Sequence, residues 1–443
     1  MRIFRYDQPG FDKALKSLDR TSSPGDEVKA TVAQIIHDVR EKGDAALIDY
    51  TAKFGGPKLK ASQLEVTKQE ITEANYSIKP KTREAVLAAH ANVRDFAKKS
   101  LRKSWKDKNN QGVEVGERFD PFQRVGIYVP GGTAPLVSTA IMTCTLAAAA
   151  GVPEIVVTTP ADTKGEINPA LLYALDFAGA TEIYKVGGAQ AIAALAYGTP
   201  TIASVLKIYG PGNAYVVEAK RQVFGQVAVD LLPGPSEILI LADKSATPAW
   251  IAADMLAQAE HGHGSSVGLV TDSATILDAV QREVKRQAAL LSRQQHLLKV
   301  LEDHTFLVLV KKLRDAVKIA NDFAPEHISI VAKNENALAE DIRTSGAIFL
   351  GGRSPVVGGD FVAGPSHELP TGGAGKSFPG LTVDQFQRRT SIVRFDKKSL
   401  KRSLPFIRTF SEIEGLDAHG HSAAIRFEKD TKKKKSKAKT SSP

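Results

Sequence analysis

The chain has 443 residues and a formal net charge of +10, with 42% hydrophobic and 24% charged residues. Its length is too great for one ordinary hydrophobic core, while its composition is close to the average of globular proteins. The lone cysteine, Cys144, excludes an internal disulfide, and no apolar run reaches the roughly 20 residues that a membrane span needs.

The N-terminal part of the chain is predicted to be helical. Residues 1–15 lack the apolar core of a secretory signal, so we expect a cytoplasmic protein. From Glu27 to about Lys103, apolar residues recur at spacings of three and four, which is the periodicity of amphipathic helices. Gly43 and Gly55 interrupt this pattern and predict turns between successive helices.

The rest of the chain alternates short apolar runs with helical stretches. Runs rich in β-branched residues and separated by amphipathic helices are typical of parallel sheets that are covered on both faces. Because eight such runs are more than one compact sheet usually needs, we predict two α/β units. The predicted strands are 125–129, 154–159, 182–186, 237–242, 266–271, 306–310, 328–332 and 347–351.

The first three of these runs are each followed by Gly or Pro and then by small residues that lead into a helix. In parallel sheets, ligands bind beyond the carboxyl ends of the strands, where the free N–H groups of helix N-termini suit phosphate. The loops after these three runs, such as those after residues 129 and 186, are therefore candidates for binding a dinucleotide. The spaced fingerprint GxGxxG is absent, however, so plain turns remain the alternative.

Six of the ten histidines follow residue 260 in four short motifs: QAEHGHG, APEHISI, GDFVAGPSHELPTGG and EGLDAHGH. In the first motif, Gln258 and His261 are three residues apart and would share one face of a helix. An imidazole and an amide, completed by a carboxylate and another imidazole, suit Zn²⁺ or a similar divalent ion. Gly262 and Gly264 equally fit a plain helix C-terminus, so both interpretations stay open here.

Two of the other motifs also contain candidate functional residues. Glu326 and His327 stand directly before a predicted strand, where a carboxylate and an imidazole can transfer protons near neutral pH. Residues 358–380 hold seven glycines and three prolines around Asp360 and His367. A long ordered loop of this kind is often functional.

Half of the net charge lies at the C-terminus, where residues 428–443 hold seven lysines against Glu428 and Asp430. This composition predicts a solvated, disordered tail. Weak contact with nucleic acid or another polyanion is the alternative.

Together and in this order, the motifs resemble the histidinol dehydrogenase family. The matching stretches run from about residue 25 to Arg426 and include RVGIYVPGGTAPLVST, VGGAQAIAALAYGT, GPGNAYVVEAKRQVFG, GPSEILILAD and the four histidine motifs. The resemblance implies oxidation of L-histidinol to L-histidine through L-histidinaldehyde with two NAD⁺, the last step of histidine biosynthesis. It also implies an α/β fold of two incomplete Rossmann-like domains with small N- and C-terminal segments.

The resemblance further implies a site assembled from many loops. The implied Zn²⁺ ligands, which also surround the substrate, are Gln258, His261, Asp360 and His419. Further substrate contacts would come from Ser236, His327, His367 and Glu414, and cofactor contacts from Tyr128, Gln190 and Asn213. Glu326 and His327 are the expected catalytic residues: His327 would take the hydroxyl proton and Glu326 would act as base for the water that adds to the aldehyde. Which of the two takes the first proton stays open.

The family architecture implies five segments and an intertwined homodimer in which the partner subunit's Glu414 and His419 complete each active site. The segments are an N-terminal segment 1–25, a Rossmann-like domain 26–127 and 237–380 with the metal and catalytic residues, an NAD-binding Rossmann-like domain 128–236, a dimerisation segment 381–427 and the lysine-rich tail 428–443.

Several residues depart from the family pattern, and other functions remain as alternatives. Ser366, Glu368 and Pro233 replace commoner residues, and His263 and His421 are extra imidazoles beside the implied ligands. A related NAD-dependent dehydrogenase of another small alcohol is one alternative. A metal hydrolase would use Glu326 to activate water, but it needs an open metal position and no NAD loops. A nucleic-acid-binding protein would depend on the lysine tail, and a membrane role is not expected.

Overall fold

The computed structural model describes residues 1–18, 20, 25–131, 135–262, 264–292 and 294–428, apart from the side chain of His296. His263 and the lysine tail from residue 429 lie outside the described residues, as does part of the loop after residue 129. Within the described chain, no helix is both long and apolar enough to cross a membrane.

The described strands, in chain order, are β1 (Arg2–Arg5), β2 (Trp105–Lys108), β3 (Glu114–Pro121), β4 (Arg124–Tyr128), β5 (Glu154–Thr158), β6 (Glu182–Tyr184), β7 (Lys207–Tyr209), β8 (Ala228–Val229), β9 (Glu237–Ala242), β10 (Ser266–Thr271), β11 (Thr305–Leu309), β12 (His327–Val331), β13 (Ala347–Leu350) and β14 (Gln387–Arg394). The α-helices are α1 (Phe11–Leu15), α2 (Asp26–Lys42), α3 (Asp44–Lys53), α4 (Lys68–Ser77), α5 (Pro80–Ser100), α6 (Val137–Ala150), α7 (Pro169–Ala178), α8 (Gly188–Tyr197), α9 (Ala214–Val223), α10 (Pro248–Ala259), α11 (Ala274–Ala288), α12 (Gln294–Asp303), α13 (Asp315–Phe323), α14 (Glu335–Ala339), α15 (Val356–Phe361), α16 (Lys397–Glu414) and α17 (Asp417–Ala424).

The first of two compact units comprises residues 1–101 and 121–386 and holds both parallel sheets. One sheet has the order β1-β11-β10-β9-β12-β13, and every neighbouring pair in it is parallel. Its central strand β9 reads EILILA and is buried along its whole length. A continuous apolar run of this kind forms where helices cover both faces of a parallel sheet.

The second parallel sheet has the order β6-β5-β4-β7-β8. Helix α6 packs beside α5 and α7 and is almost entirely buried, as its sequence VSTAIMTCTLAAAA allows. Helix α2 packs on α8 and α9. The helices between residues 26 and 100 thus contact the elements of this sheet, while the domain boundaries expected from the sequence remain a prediction.

The predicted α/β fold class is confirmed, and all eight predicted runs form strands of the two parallel sheets. Gly43, with φ at +54°, separates α2 from α3 as expected, because a left-handed backbone suits glycine. The sequence patterns did not indicate the strands β1, β7 and β8, which extend the sheets at or near their edges.

Among the described residues, the second unit comprises residues 102–120 and 387–428. Its sheet has the order β14-β3-β2, with β2 and β3 antiparallel. Asp396 caps α16 through the backbone N–H of Ser399, and α16 packs against α17. This small antiparallel sheet was not predicted from the sequence.

Candidate active site

Candidate residues of the first unit lie at the amino edge of its six-stranded sheet and at the carboxyl edge of its five-stranded sheet. Ser236 directly precedes β9 and Glu326 directly precedes β12, and these two strands are parallel neighbours. Both residues therefore stand at the amino edge of the six-stranded sheet. Tyr128 is the last residue of β4, so it stands at the carboxyl edge of the five-stranded sheet.

Glu326 is buried, and its carboxylate is held by groups that precede and begin β9. Its Oε2 accepts a hydrogen bond of 2.7 Å from the backbone N–H of Glu237, and the side chain of Ser236 is a further hydrogen-bond partner. Burial, together with the charge of Glu237, raises the pKa of Glu326 well above its ordinary value. A carboxyl group in this environment is a stronger base than an exposed one.

His327 is buried and points into the same region. Its Nδ1 lies 2.9 Å from the carbonyl oxygen of Glu237. Its Nε2 is buried, makes no hydrogen bond with the described residues, and lies 3.6 Å from Oδ1 of Asp360. Burial lowers the pKa of His327 below its ordinary value, so the neutral imidazole is favoured.

The glycine-rich loop predicted around residues 358–380 places His367 beside α6, a helix that packs on the five-stranded sheet. Nε2 of His367 lies 3.0 Å from the hydroxyl of Thr139 on α6, and Nδ1 lies 3.0 Å from the carbonyl oxygen of Asp360. Burial alone would lower the pKa of His367, but a hydrogen bond and the charge of Glu368 raise it overall. Glu368, a departure from the family pattern, is thus a partner of a predicted substrate contact.

Gln258 and His261 lie at the end of α10. The helix ends at Ala259, and the backbone N–H of His261 donates to the carbonyl oxygen of Gln258 over 3.3 Å in the following turn. Gln258 is buried, and its Nε2 makes no hydrogen bond with the described residues. His261 keeps an exposed face, yet partial desolvation lowers its pKa while the charge of Asp360 acts to raise it. Glu260 is exposed.

The predicted cofactor residues lie at the end of β4, in α8 and in the loop between β7 and α9. The hydroxyl of Tyr128 accepts a hydrogen bond of 3.1 Å from the backbone N–H of Gly188. Gln190 is buried in α8, and its Oε1 has no hydrogen-bond partner among the described residues. Asn213 caps α9 by accepting from the backbone N–H groups of Tyr215 and Val216.

Comparison with known proteins decides the family. The family model described as Histidinol dehydrogenase matches residues 18–427. Histidinol dehydrogenase of Agrobacterium fabrum is 45% identical over 402 residues, covering 91% of this chain and 93% of the relative. That of Geobacillus kaustophilus is 44% identical over 414 residues, covering 93% and 97%.

The crystal structure of histidinol dehydrogenase from Elizabethkingia anophelis superimposes with a TM-score of 0.91 at 33% sequence identity, covering 97% of this chain and 99% of that one. This chain belongs to the histidinol dehydrogenase family. Histidinol dehydrogenases are NAD-dependent oxidoreductases of histidine biosynthesis, and this membership leaves the hydrolase and nucleic-acid alternatives without support.

The first unit of this histidinol dehydrogenase family member holds three of the four predicted zinc ligands. Their donors fit the ion, because an amide, an imidazole and a carboxylate suit Zn²⁺ and because Gln258 is a buried amide with an unsatisfied atom. Rotation of this amide by 180° would present its oxygen at the same position. Among the described residues, no three His, Cys, Asp or Glu side chains form a group that could hold a metal ion. The zinc site therefore stays a proposal.

The fourth predicted ligand, His419, and the predicted substrate contact Glu414 belong to the second unit. Glu414 is the last residue of α16, and His419 lies in the first turn of α17. Both side chains are exposed. Their roles remain predictions.

The sequence motifs did not single out several residues that hold the site together. Glu237 bonds both Glu326 and His327, and Thr139 contacts His367. The one available signal for Glu237 was a carboxylate that opens an otherwise apolar strand. Thr139 gave no signal, because threonine is ordinary in a buried helix of small residues.

Proposed function

We propose that this chain oxidises L-histidinol to L-histidine through L-histidinaldehyde, using two NAD⁺ per turnover. The family membership supports the reaction, and one observation supports the residue roles. His327 is buried with Nδ1 bound to a backbone carbonyl, and its Nε2 makes no hydrogen bond with the described residues. An imidazole held in this way can accept a proton at Nε2.

In the first oxidation, the alcohol must lose its hydroxyl proton as hydride leaves the adjacent carbon. His327 is the base that we assign to this proton, because burial keeps it neutral and its tautomer leaves Nε2 unprotonated. When bound, NAD⁺ supplies the hydride acceptor. We propose that Tyr128, Gln190 and Asn213 contact it.

In the second oxidation, the aldehyde must add water before hydride can leave. Glu326 is the base that we assign to this water, since its buried carboxylate adjoins His327 at a distance of 3.5 Å between Oε2 and Nδ1. Ser236 and the N–H of Glu237 orient the carboxylate. Keeping the reactive aldehyde in a water-poor site limits its escape.

Gln258, His261, Asp360 and His419 would hold Zn²⁺. When bound, the ion supplies positive charge and orientation for the substrate imidazole and amine. His367 and Glu414 would add polar substrate contacts, because an imidazole and a carboxylate can bind the polar groups of an amino alcohol.

We also propose a homodimer in which the partner subunit's Glu414 and His419 complete each site. Helix α16 exposes Phe406, Phe410 and Ile413, which recur at spacings of four and three. Such a stripe lies along one face of a helix, and a large exposed apolar face is typical of an interaction surface. A cytoplasmic location remains a prediction from the sequence.

Counting the NADH formed per L-histidinol tests the reaction. We expect two equivalents, and dialysis against a chelator followed by added Zn²⁺ should abolish and restore turnover. One equivalent, or faster turnover of another small amino alcohol, would favour the related dehydrogenase instead.

The Glu326→Gln variant tests the division of labour. Supplied with L-histidinaldehyde it should lose most activity, while the first hydride transfer from L-histidinol in a single turnover should persist. An equal loss in both reactions would contradict the roles assigned to Glu326 and His327.

A further inference from the structure

Glu237, the first residue of β9, contacts both proposed proton-transfer residues. Its backbone N–H donates to Oε2 of Glu326 over 2.7 Å, and its carbonyl oxygen lies 2.9 Å from Nδ1 of His327. In the reverse direction, the backbone N–H of Glu326 donates to Oε2 of Glu237 over 3.3 Å. Residue 237 is therefore bonded to the Glu326–His327 dipeptide through its backbone and its side chain.

The other carboxylate oxygen of Glu237 binds the glycine-rich loop. Its Oε1 accepts a hydrogen bond of 2.9 Å from the backbone N–H of Gly372. Gly372 lies in the same loop as His367 and follows Thr371, whose hydroxyl accepts from the N–H of Gly234 in the segment before β9. One buried carboxylate thus connects two strands and this loop.

Arg20 provides the counter-charge for this carboxylate. Its guanidinium forms an ion pair with Oε1 of Glu237, donates to the carbonyl oxygen of Phe323 over 2.5 Å, and stacks with its Cζ 3.2 Å from the centre of the Phe323 ring. The side chain of Glu237 is only 4% exposed. Burial of such a charge is costly unless every partner is present, so the arrangement is sensitive to loss of any one of them.

We propose that Glu237, held by Arg20, is a positioning residue for the oxidation reaction. Through its two oxygens and its backbone, it fixes the Glu326–His327 dipeptide relative to the loop that carries His367. The proposal rests on the proposed roles of Glu326 and His327. It goes beyond them because neither Glu237 nor Arg20 needs to touch the substrate.

The variant Glu237→Gln tests this role with little change of shape. Its amide NH₂ cannot accept a hydrogen bond, so either Gly372 or Glu326 loses its acceptor, and Arg20 loses its counter-charge. We expect kcat with L-histidinol to fall by about 10- to 100-fold, because small displacements of reacting groups cost this much. The KM for NAD⁺ should stay within about twofold, since the proposed cofactor residues lie on the other sheet.

Asp243→Asn is the matched control. Asp243 directly follows the other end of β9 and likewise accepts backbone hydrogen bonds, of 2.8 Å from Ser245 and 2.9 Å from Lys333. This variant should leave kcat unchanged, even where its melting temperature falls as far as that of Glu237→Gln. Equal kcat values for the two variants would overturn the proposal.

Arg20 variants keep the proposal testable where Glu237→Gln does not fold. Arg20→Lys retains the positive charge and should keep more of kcat than Arg20→Met, whereas a purely structural role predicts losses that follow the melting temperature alone. Equal kcat values for both would overturn the proposal. Glu326→Gln, measured in parallel, separates the proposed function from the positioning role. An active Glu326→Gln variant contradicts the proposed function. An inactive Glu326→Gln variant together with a fully active Glu237→Gln variant contradicts only the positioning role.

Discussion

Nδ1 of His327 lies 2.9 Å from the backbone carbonyl oxygen of Glu237. Because a carbonyl oxygen only accepts hydrogen bonds, Nδ1 must carry the proton. The lone pair of the neutral ring is then on Nε2, which is buried and makes no hydrogen bond with the described residues. The backbone of one strand therefore sets the tautomer of the base on its neighbour.

Replacing His327 by Asn tests the roles of its two ring nitrogens separately. The shorter amide can still donate to the carbonyl oxygen of Glu237 but offers nothing at the position of Nε2. We expect kcat to fall by about 10²- to 10⁴-fold, the usual contribution of a general base, with the melting temperature nearly unchanged. His327→Gln is the comparison, because its longer side chain loses the bond to Glu237. An Asn variant with more than a tenth of wild-type kcat would show that Nε2 is not the base.

The two parallel sheets were predictable because their central strands are buried on both faces, which leaves a continuous apolar run such as EILILA in β9. Other strands lack that signal for physical reasons. Strand β8 has only two residues, and β2 reads WKDK and is exposed along its length. Their pairing depends on neighbouring strands more than on their own side chains.

The candidate site was predictable only where several unusual residues fall close together in sequence, as in the histidine motifs. The pair Arg20 and Glu237 could not be found in this way, since its members are far apart in the chain and an arginine near the N-terminus is ordinary. The loop composition drew attention to the segment around His367 and the family resemblance implied its role, but its contact with Thr139 depends on how α6 packs. Tertiary packing therefore decided the partners, while local chemistry indicated the candidates.

Mixing two inactive variants tests whether the active site is shared between subunits. In a heterodimer of His419→Ala and Glu326→Gln chains, one site would receive both intact residues and the other would receive neither. Random exchange should therefore restore about a quarter of wild-type activity, because half of the dimers are mixed and each has one intact site. Each variant alone is the control. Confirmed heterodimers without any recovery would show that both residues serve the same subunit's site.

Replacing Lys220 by Met tests the loop that carries the proposed cofactor residue Asn213. Lys220 is fully buried, pairs with Asp230, and donates to the carbonyl oxygen of Gly210 over 2.9 Å, while Asp230 accepts from the N–H of Gly210 over 2.8 Å. Removing one partner of a buried ion pair costs about 3 to 5 kcal/mol.

Thermal and denaturant unfolding should show this loss, and the KM for NAD⁺ should rise because the Gly210 peptide is no longer held. Lys318→Met is the control. Lys318 pairs with Asp322 one turn further along α13, where both side chains are exposed and such a pair contributes about 1 kcal/mol or less. Similar losses of stability in the two variants would contradict the role of the buried pair.

Asp254 on α10 should make stability depend on pH in a defined direction. Burial raises the pKa of this carboxyl from 3.8 to about 6. The stability gained from the protonated form is complete below the unfolded-state pKa and is lost as the pH rises through about 6, so the ionised group is unfavourable at neutral pH. Asp254→Asn should therefore raise the melting temperature at pH 8. The expected gain in the free energy of unfolding is about 1 to 2 kcal/mol after allowance for solvent screening. The gain should shrink towards pH 4, where the Asp254 carboxyl and the Asn amide that replaces it are both neutral.

Asp278→Asn on the exposed face of α11 is the control and should change the melting temperature at neither pH. A gain of equal size at both pH values would show that ionisation of Asp254 is not its cause.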